Sequence, residues 1–167
     1  MRYDFSGRTN AVRAIAMQGM IAAIYVALTL LLQPISFGTL QCRVSEAMTV
    51  LPFLSPITAV GLTVGCLISN LIGGAGILDV VFGTLATLAA GLLTARMPNK
   101  WLAPLPPVLI NAAVIGAVLT LVSVPLESFF PTFWIFAGEV GLGQVGACYV
   151  LGLPLLAAAK RSKLFDK

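Results

Sequence analysis

The sequence predicts an all-α membrane protein with six transmembrane helices and both termini in the cytoplasm. Three observations predict it. The 167 residues are 59% hydrophobic and only 10% charged, with a mean hydropathy of +1.00, whereas soluble domains are about 25% charged. Apolar runs long enough to cross or enter a bilayer alternate with short breaks of Pro, Gly and charge. Every Lys and Arg except Arg43 falls on one side of the resulting topology, as cytoplasmic loops require. Residues 1–167 form a single integral membrane domain.

Met1–Asn10 is polar, with Arg2 and Arg8, and Arg13 follows just inside the apolar run; it reads as a cytoplasmic tail. The first helix covers about 11–32. It is too long for a signal-peptide core and lacks a cleavage site, so it is retained. Gln33-Pro34 ends it. Gly19, Ala23 and Ala27 recur every four residues and form a small-residue face. Such a face packs closely against a helix, either of this chain or of a partner.

The second helix, about 42–54, is short and ends at Pro52 and Pro56. It rises roughly 20 Å at about 1.5 Å per residue, so its neighbours must cover it. The third, about 57–71, carries Gly61 and Gly65 as another small face and Asn70 at its outer end. Gly73-Gly74-Ala75-Gly76 breaks the chain. The fourth helix, about 77–95, has Asp79 in its first turn and is followed by Arg96, Pro98, Asn99 and Lys100. The fifth, about 104–124, accommodates Pro106-Pro107 in its first turn and carries Asn111. The sixth, about 132–159, holds Glu139 and Gln144 in a Gly-rich apolar run and stops at Lys160-Arg161-Ser162-Lys163.

This topology puts Glu46, Asp79, Glu127 and Glu139 in the outer half. Arg43, Glu46, Asn70, Asp79 and Glu139 lie outward on four different helices, and Asn111 lies nearer the inner end of a fifth. Polar groups at membrane depth are costly, and their convergence points to a ligand pocket open to the outside. Each also has a structural reading. Arg43 and Glu46, at i and i+3, can neutralise each other. Asp79 can cap its helix. Asn70 and Asn111 can bond across helices. Glu127 lies in a loop and is solvated. Glu139 has no basic neighbour in sequence, so a ligand with two adjacent N–H groups, or donors from other helices, must satisfy it.

Other classes are disfavoured. The net charge of +4 flanks apolar runs instead of forming a nucleic-acid patch. Cys42, Cys66 and Cys148 are odd in number and have no CxxC; Cys66 and Cys148 read as small buried hydrophobes. With no His and no thiol cluster, no metal site is expected. The phosphate-binding G-x-x-x-x-G-K-[ST] is absent, as is any nucleophile paired with His, so an enzyme is not expected and no cofactor is called for.

Several stretches together resemble the QueT family: Arg43-Val-Ser-Glu-Ala-Met-Thr-Val-Leu-Pro-Phe53, Asp79-Val-Val-Phe-Gly-Thr-Leu-Ala-Thr-Leu88, Leu102-Ala-Pro-Leu-Pro-Pro-Val-Leu-Ile-Asn111 and the pair Gly138-Glu139. The resemblance runs from about Gln18 to Leu155. It implies the substrate-binding S component of an energy-coupling factor (ECF) transporter, with the S-component fold, in a bacterial cell membrane. The implied ligand is a queuosine precursor, a 7-deazaguanine base such as queuine or its 7-cyano and 7-aminomethyl relatives. The implied partners are a transmembrane coupling subunit and two ATPase subunits, with Gly19, Ala23 and Ala27 matching the docking face. The resemblance is weakest in the run after Gly138-Glu139, which contains Gln144.

A deazaguanine edge presents ring N–H and exocyclic NH₂ side by side, and a carboxylate accepts both in a bidentate pair. Glu139 is the expected carboxylate. Asn111 or Asn70 would serve the ring carbonyl, and Glu46 or Asp79 an aminomethyl cation. Phe82, Phe133, Trp134 or Phe136 would stack on the base or anchor at the interface. An S component for another vitamin-like ligand, and a structural membrane protein, are the alternatives.

Overall fold

The computed structural model describes residues 5–36 and 43–162, excepting the side chains of residues 5–10 and Ile35. Cys42 and the start expected for the second helix lie outside the described residues. Within them every regular element is a helix, without a strand. In chain order α1 is Phe5–Leu31, α2 is Val44–Phe53 and α3 is Thr58–Ile72. Then α4 is Asp79–Thr94, α5 is Leu105–Ser123 and α6 is Leu126–Arg161. Ala11–Leu31, α5 and α6 are each long and apolar enough to cross a membrane, while α2, α3 and α4 are shorter apolar helices.

The expected helices are present, the first and the sixth beginning earlier, at Phe5 and at Leu126, so that Glu127 lies in the first turn of α6 instead of a loop; three further differences concern winding and breaks. One more helical turn, Gln33–Ser36, follows α1, so Pro34 does not stop the helical path; in a first turn its missing N–H is harmless. The second helix is wound as a 3₁₀ helix over all ten residues, although such runs seldom exceed three or four. At about 2.0 Å per residue it reaches roughly 20 Å, the span that thirteen α-helical residues would give. Finally, two stretches are π-wound, Asp79–Gly83 at the start of α4 and Gly146–Leu151 in α6, the latter just ahead of Pro154. Proline lacks the N–H of the regular ladder and clashes with the carbonyl four residues back, and a π turn relieves both.

α2 is the pillar of the fold, since every residue from Ser45 to Pro52 is buried. A 3₁₀ helix sets residues i and i+3 in line, giving three faces. Met48 and Leu51 enter a core with Ile21, Tyr25, Leu62 and Cys66. Ala47 and Val50 meet α6 at Gly152, where a Cβ would lie 3.0 Å from Val50 Cγ1 and 3.1 Å from the Ala47 carbonyl. Glu46, Thr49 and Pro52 form the third face.

Small residues bring the surrounding helices together, as expected where hydrocarbon solvent gives little drive for association. A Cβ on Gly61 would lie 2.8 Å from the Gln18 carbonyl oxygen, and one on Gly65 2.9 Å from Tyr25 Cβ, so this glycine face joins α3 to α1. Gly91 seats α4 on Ala59 of α3, and Gly116 seats α5 on the backbone of Ala137 in α6. The break after α3 turns at Gly74, whose φ of +75° suits glycine. The Gly19, Ala23 and Ala27 face of α1 is exposed, and a Cβ on Gly19 would meet nothing within 4 Å.

These contacts separate two glycines of similar sequence setting. Gly116→Ala must push its Cβ into the backbone of Ala137, 2.8 Å away; overpacking of this kind costs about 1–3 kcal/mol. Gly19→Ala meets no neighbour and gains helix propensity. Thermal unfolding of the purified protein in detergent is expected to fall for Gly116→Ala and to hold or rise for Gly19→Ala.

Candidate functional site

The entrance to α2 sets the site. Arg43 precedes the helix in an extended conformation, φ −83° and ψ 107°, so its side chain leaves sideways toward α3 and α4. It is 4% exposed. One guanidinium nitrogen, Nη1, donates to Asn70 Oδ1 at 2.9 Å, and Nη2 bridges to Asp79 Oδ2 at 3.0 Å. Nε donates to the Ser36 carbonyl at 3.3 Å. Asn70 Nδ2 in turn donates to the Asp79 carbonyl at 3.2 Å. A single planar cation therefore joins the end of the first helical path, α3 and α4. Gly83 makes room for it, because a Cβ there would lie 3.0 Å from Asp79 Oδ1 and 3.2 Å from Asn70 Nδ2.

Three residues further on, Glu46 is 2% exposed and faces α1 and α5 instead. Tyr25 Oη donates a short hydrogen bond to Glu46 Oε1, and Asn111 Nδ2 donates to Oε2 at 3.3 Å. Just beside it, the Thr29 and Ser45 hydroxyls share a 2.7 Å hydrogen bond. On the α6 side, the Glu46 carbonyl accepts from Thr49 Oγ1 at 2.6 Å and from the Cys148 thiol at 3.5 Å. Cys148 also reaches Gln144 Oε1 at 3.5 Å.

Arg43, Glu46, Gly83, Thr87, Asn111, Ile115, Val140 and Gln144 line one cavity of about 10 Å³, room for about a single water molecule. Beside it lies Asp79 Oδ1, buried and without a hydrogen-bond partner. Each Glu46 oxygen has one donor from the protein, which leaves each a lone pair. The site is thus rich in unused acceptor capacity, with two amides, Asn111 and Gln144, on its wall.

Of the residues singled out from sequence, Arg43, Glu46, Asn70, Asp79 and Asn111 come together. Asn111, which hydropathy placed nearer the inner end, bonds directly to Glu46. Two expectations about local pairing change. Arg43 bridges to Asp79 of α4, because it stands outside the helix whose periodicity would align it with Glu46. Asp79 makes no cap hydrogen bond at the start of α4, one oxygen being bonded by Arg43 and the other having no partner. Glu139 stands apart. It is half-buried on α6, on the flank of the face that buries Val140 and Gln144, and does not line the cavity. The aromatic candidates do not line it either. Phe82 is exposed, as is Trp134 at 72%, and Phe133 packs edge-on against Trp134. Tyr25, Thr87 and Ser45 are the polar partners that sequence reasoning passed over. Tyr25 carries a usable signal, since it lies opposite the Gly19, Ala23 and Ala27 face of α1 and so points inward.

Fold and site together define a helical membrane protein with a polar cluster sealed in its core. The family described as the QueT transporter matches residues 15–161, and the chain belongs to that family. It is also 39% identical over 71 residues to the queuosine precursor transporter QueT of Lactococcus lactis subsp. cremoris (strain MG1363). That stretch covers 41% of this chain and 41% of the relative, so the match spans less than half of the relative's length. No solved structure matches.

The Arg43–Asp79 bridge makes a testable demand. Removing one partner strands the other charge in the interior, at about 3–5 kcal/mol, whereas replacing both with apolar groups relieves the loss. Arg43→Met and Asp79→Leu are each expected to lower the midpoint of SDS-induced unfolding markedly. The double variant is expected to recover much of the difference; simply additive losses would contradict the bridge.

Proposed function

We propose that this chain is the substrate-capturing S component of an ECF importer and takes up a 7-deazaguanine precursor of queuosine. Membership of the QueT family supports transport, and the name of the Lactococcus relative supports the ligand class. The observation that carries the reading furthest is the cavity lined by Glu46, Asn111 and Gln144 beside the unpartnered Asp79 Oδ1. A deazaguanine presents two parallel donors and a carbonyl acceptor. Glu46 offers a lone pair on each oxygen to the donors, and an amide of Asn111 or Gln144 serves the carbonyl. Glu46 accordingly takes the bidentate role, ahead of Glu139, which stands at the flank and contacts the ligand only if α6 turns. Asp79 Oδ1 is the acceptor for a 7-aminomethyl cation. Arg43 and Asn70 hold Asp79 in place.

In this reading the six helices all span, both termini are cytoplasmic and the pocket opens outward. Short α2, α3 and α4 are accommodated by tilt and local thinning of the bilayer. The chain performs no chemistry on its ligand; a coupling subunit and two ATPases drive release inside. The exposed Gly19, Ala23 and Ala27 face is free to dock the coupling subunit, since the opposite side of α1 is the one packed on α3.

Two measurements test this. Calorimetric titration of 7-cyano- and 7-aminomethyl-7-deazaguanine is expected to show affinity falling at least tenfold for Glu46→Gln and Asn111→Leu, and less for Glu139→Ala. Asp79→Asn is expected to weaken the aminomethyl ligand more than the cyano one. If none of these variants alters affinity while Glu139→Ala abolishes it, the assignment to Glu46 is wrong. In a separate assay, Ala23→Leu with Ala27→Leu is expected to abolish co-purification with the coupling module while ligand binding persists.

A further inference from the structure

A second, larger cavity lies away from this site. It measures about 560 Å³ and is open to the surface. The C-terminal end of α2 contributes Phe53 and Leu54, the α4–α5 loop Lys100 and Trp101, and the last turns of α6 Leu153, Leu156, Lys160 and Arg161. Its walls are mostly apolar, three cations stand at its rim, and no acidic residue among the described ones lines it. Lys100 Nζ sits 5.1 Å from the centre of the Trp101 ring, within cation–π range. Asn99 Oδ1 accepts from the backbone N–H of Trp101 and of Leu102 at 3.1 and 3.0 Å, which fixes the turn that presents both side chains.

A greasy groove edged by cations and a tryptophan fits an amphiphile with a negative head. Tryptophan favours the depth of lipid headgroups, and basic pockets between helices on the cytoplasmic side recognise anionic lipid heads. We propose that this groove binds one anionic phospholipid, with its phosphate on Lys100, Lys160 and Arg161 and the first part of an acyl chain against Phe53, Leu153 and Leu156. The site is independent of the deazaguanine pocket. Charge complementarity selects the occupant: a zwitterionic lipid brings its own cation to the three already present, and free phosphate leaves the apolar wall wet.

Trp101 and Trp134 are the two tryptophans of the chain, so Trp134→Phe leaves Trp101 as a reporter inside the groove. Quenching of its fluorescence is measured in detergent micelles titrated with phosphatidylglycerol or phosphatidylcholine carrying dibrominated acyl chains. Inorganic phosphate is titrated as the headgroup-only competitor. Saturable quenching is expected at lower mole fraction for phosphatidylglycerol, unaffected by millimolar phosphate. Each of Lys100→Gln, Lys160→Gln and Arg161→Gln is expected to reduce that preference about fivefold. Diffuse attraction to a basic surface would share this charge dependence, so a further variant separates the two. Ala157→Phe fills the groove from an exposed position and leaves every charge in place. Loss of saturable quenching in Ala157→Phe supports a built site. Equal quenching by the two lipids, competition by free phosphate, or undiminished preference in Ala157→Phe overturns it.

Discussion

Arg43 stands where the end of the first helical path, α3 and α4 present a carbonyl oxygen, an amide oxygen and a carboxylate oxygen to one point. Its fork answers all three, and a planar guanidinium is suited to that because its donors are fixed in direction. The arrangement determines what α2 can be. A helix buried from Ser45 to Pro52 cannot leave a charge at its entrance to water, so the charge must be answered by its neighbours. Glu46 repeats the constraint with the opposite sign, tying α2 to Tyr25 of α1 and Asn111 of α5. Two charges three residues apart thereby hold five helices, and they do so by taking different hydrogen-bond partners while lining one cavity.

That last point explains what could be read from the sequence and what could not. The apolar runs and their Pro, Gly and basic punctuation place the helices well, since the cost of exposing backbone to hydrocarbon forces helical structure on any such run. The inwardness of Arg43, Glu46, Asn70, Asp79 and Asn111 follows from the same cost. Partner choice does not follow, because it depends on whether Arg43 is inside the helix or one residue ahead of it. The 3₁₀ winding of α2 is equally hidden, since it arises from the need to reach across with few residues while packed on all sides. Glu139 stands apart from the cluster for a related reason. Hydropathy locates a carboxylate in depth but not in rotation, and on α6 the face that turns inward is set by Val140 and Gln144. Tyr25 was overlooked because a tyrosine in an apolar run looks ordinary until the small face of α1 is seen to point the other way.

The glycines and alanines divide into two sets by what lies opposite them. Gly61, Gly65, Gly91, Gly116 and Gly152 each have another segment of this chain within 3.1 Å of where a Cβ would sit. Gly19, on a face with the same spacing, has nothing. Equal spacing in sequence thus has opposite meanings, and contact within the fold separates them. A membrane helix that keeps small residues against lipid gains no packing from them, which is the argument for a partner on that face.

The seams around the cavity are unequal in strength. Between α2 and helices α1, α3 and α4 run the guanidinium fork, the Tyr25–Glu46 bond and the Thr29–Ser45 bond. Between α2 and the α5–α6 pair run the Asn111–Glu46 bond at 3.3 Å and thiol contacts of 3.5–3.6 Å. Charge-assisted bonds are shorter and about twice as strong as neutral ones, and thiols are weak donors. Lower down, the second seam is tight, because Gly152 lets α6 close on Val50 and Ala47. The π-wound Gly146–Leu151 stretch lies between that clamp and the part of α6 that lines the cavity. For the proposed bicyclic ligand to enter a space of about 10 Å³, some wall must yield. In the proposed reading that wall is the outer part of α6 moving with α5 through the Gly116–Ala137 contact, its donors to α2 being an amide and a thiol where the other seam has a guanidinium, and the π-wound stretch is where it turns. A ligand that replaces Asn111 on Glu46 would restore the bond that this movement breaks, so binding and opening draw on the same carboxylate.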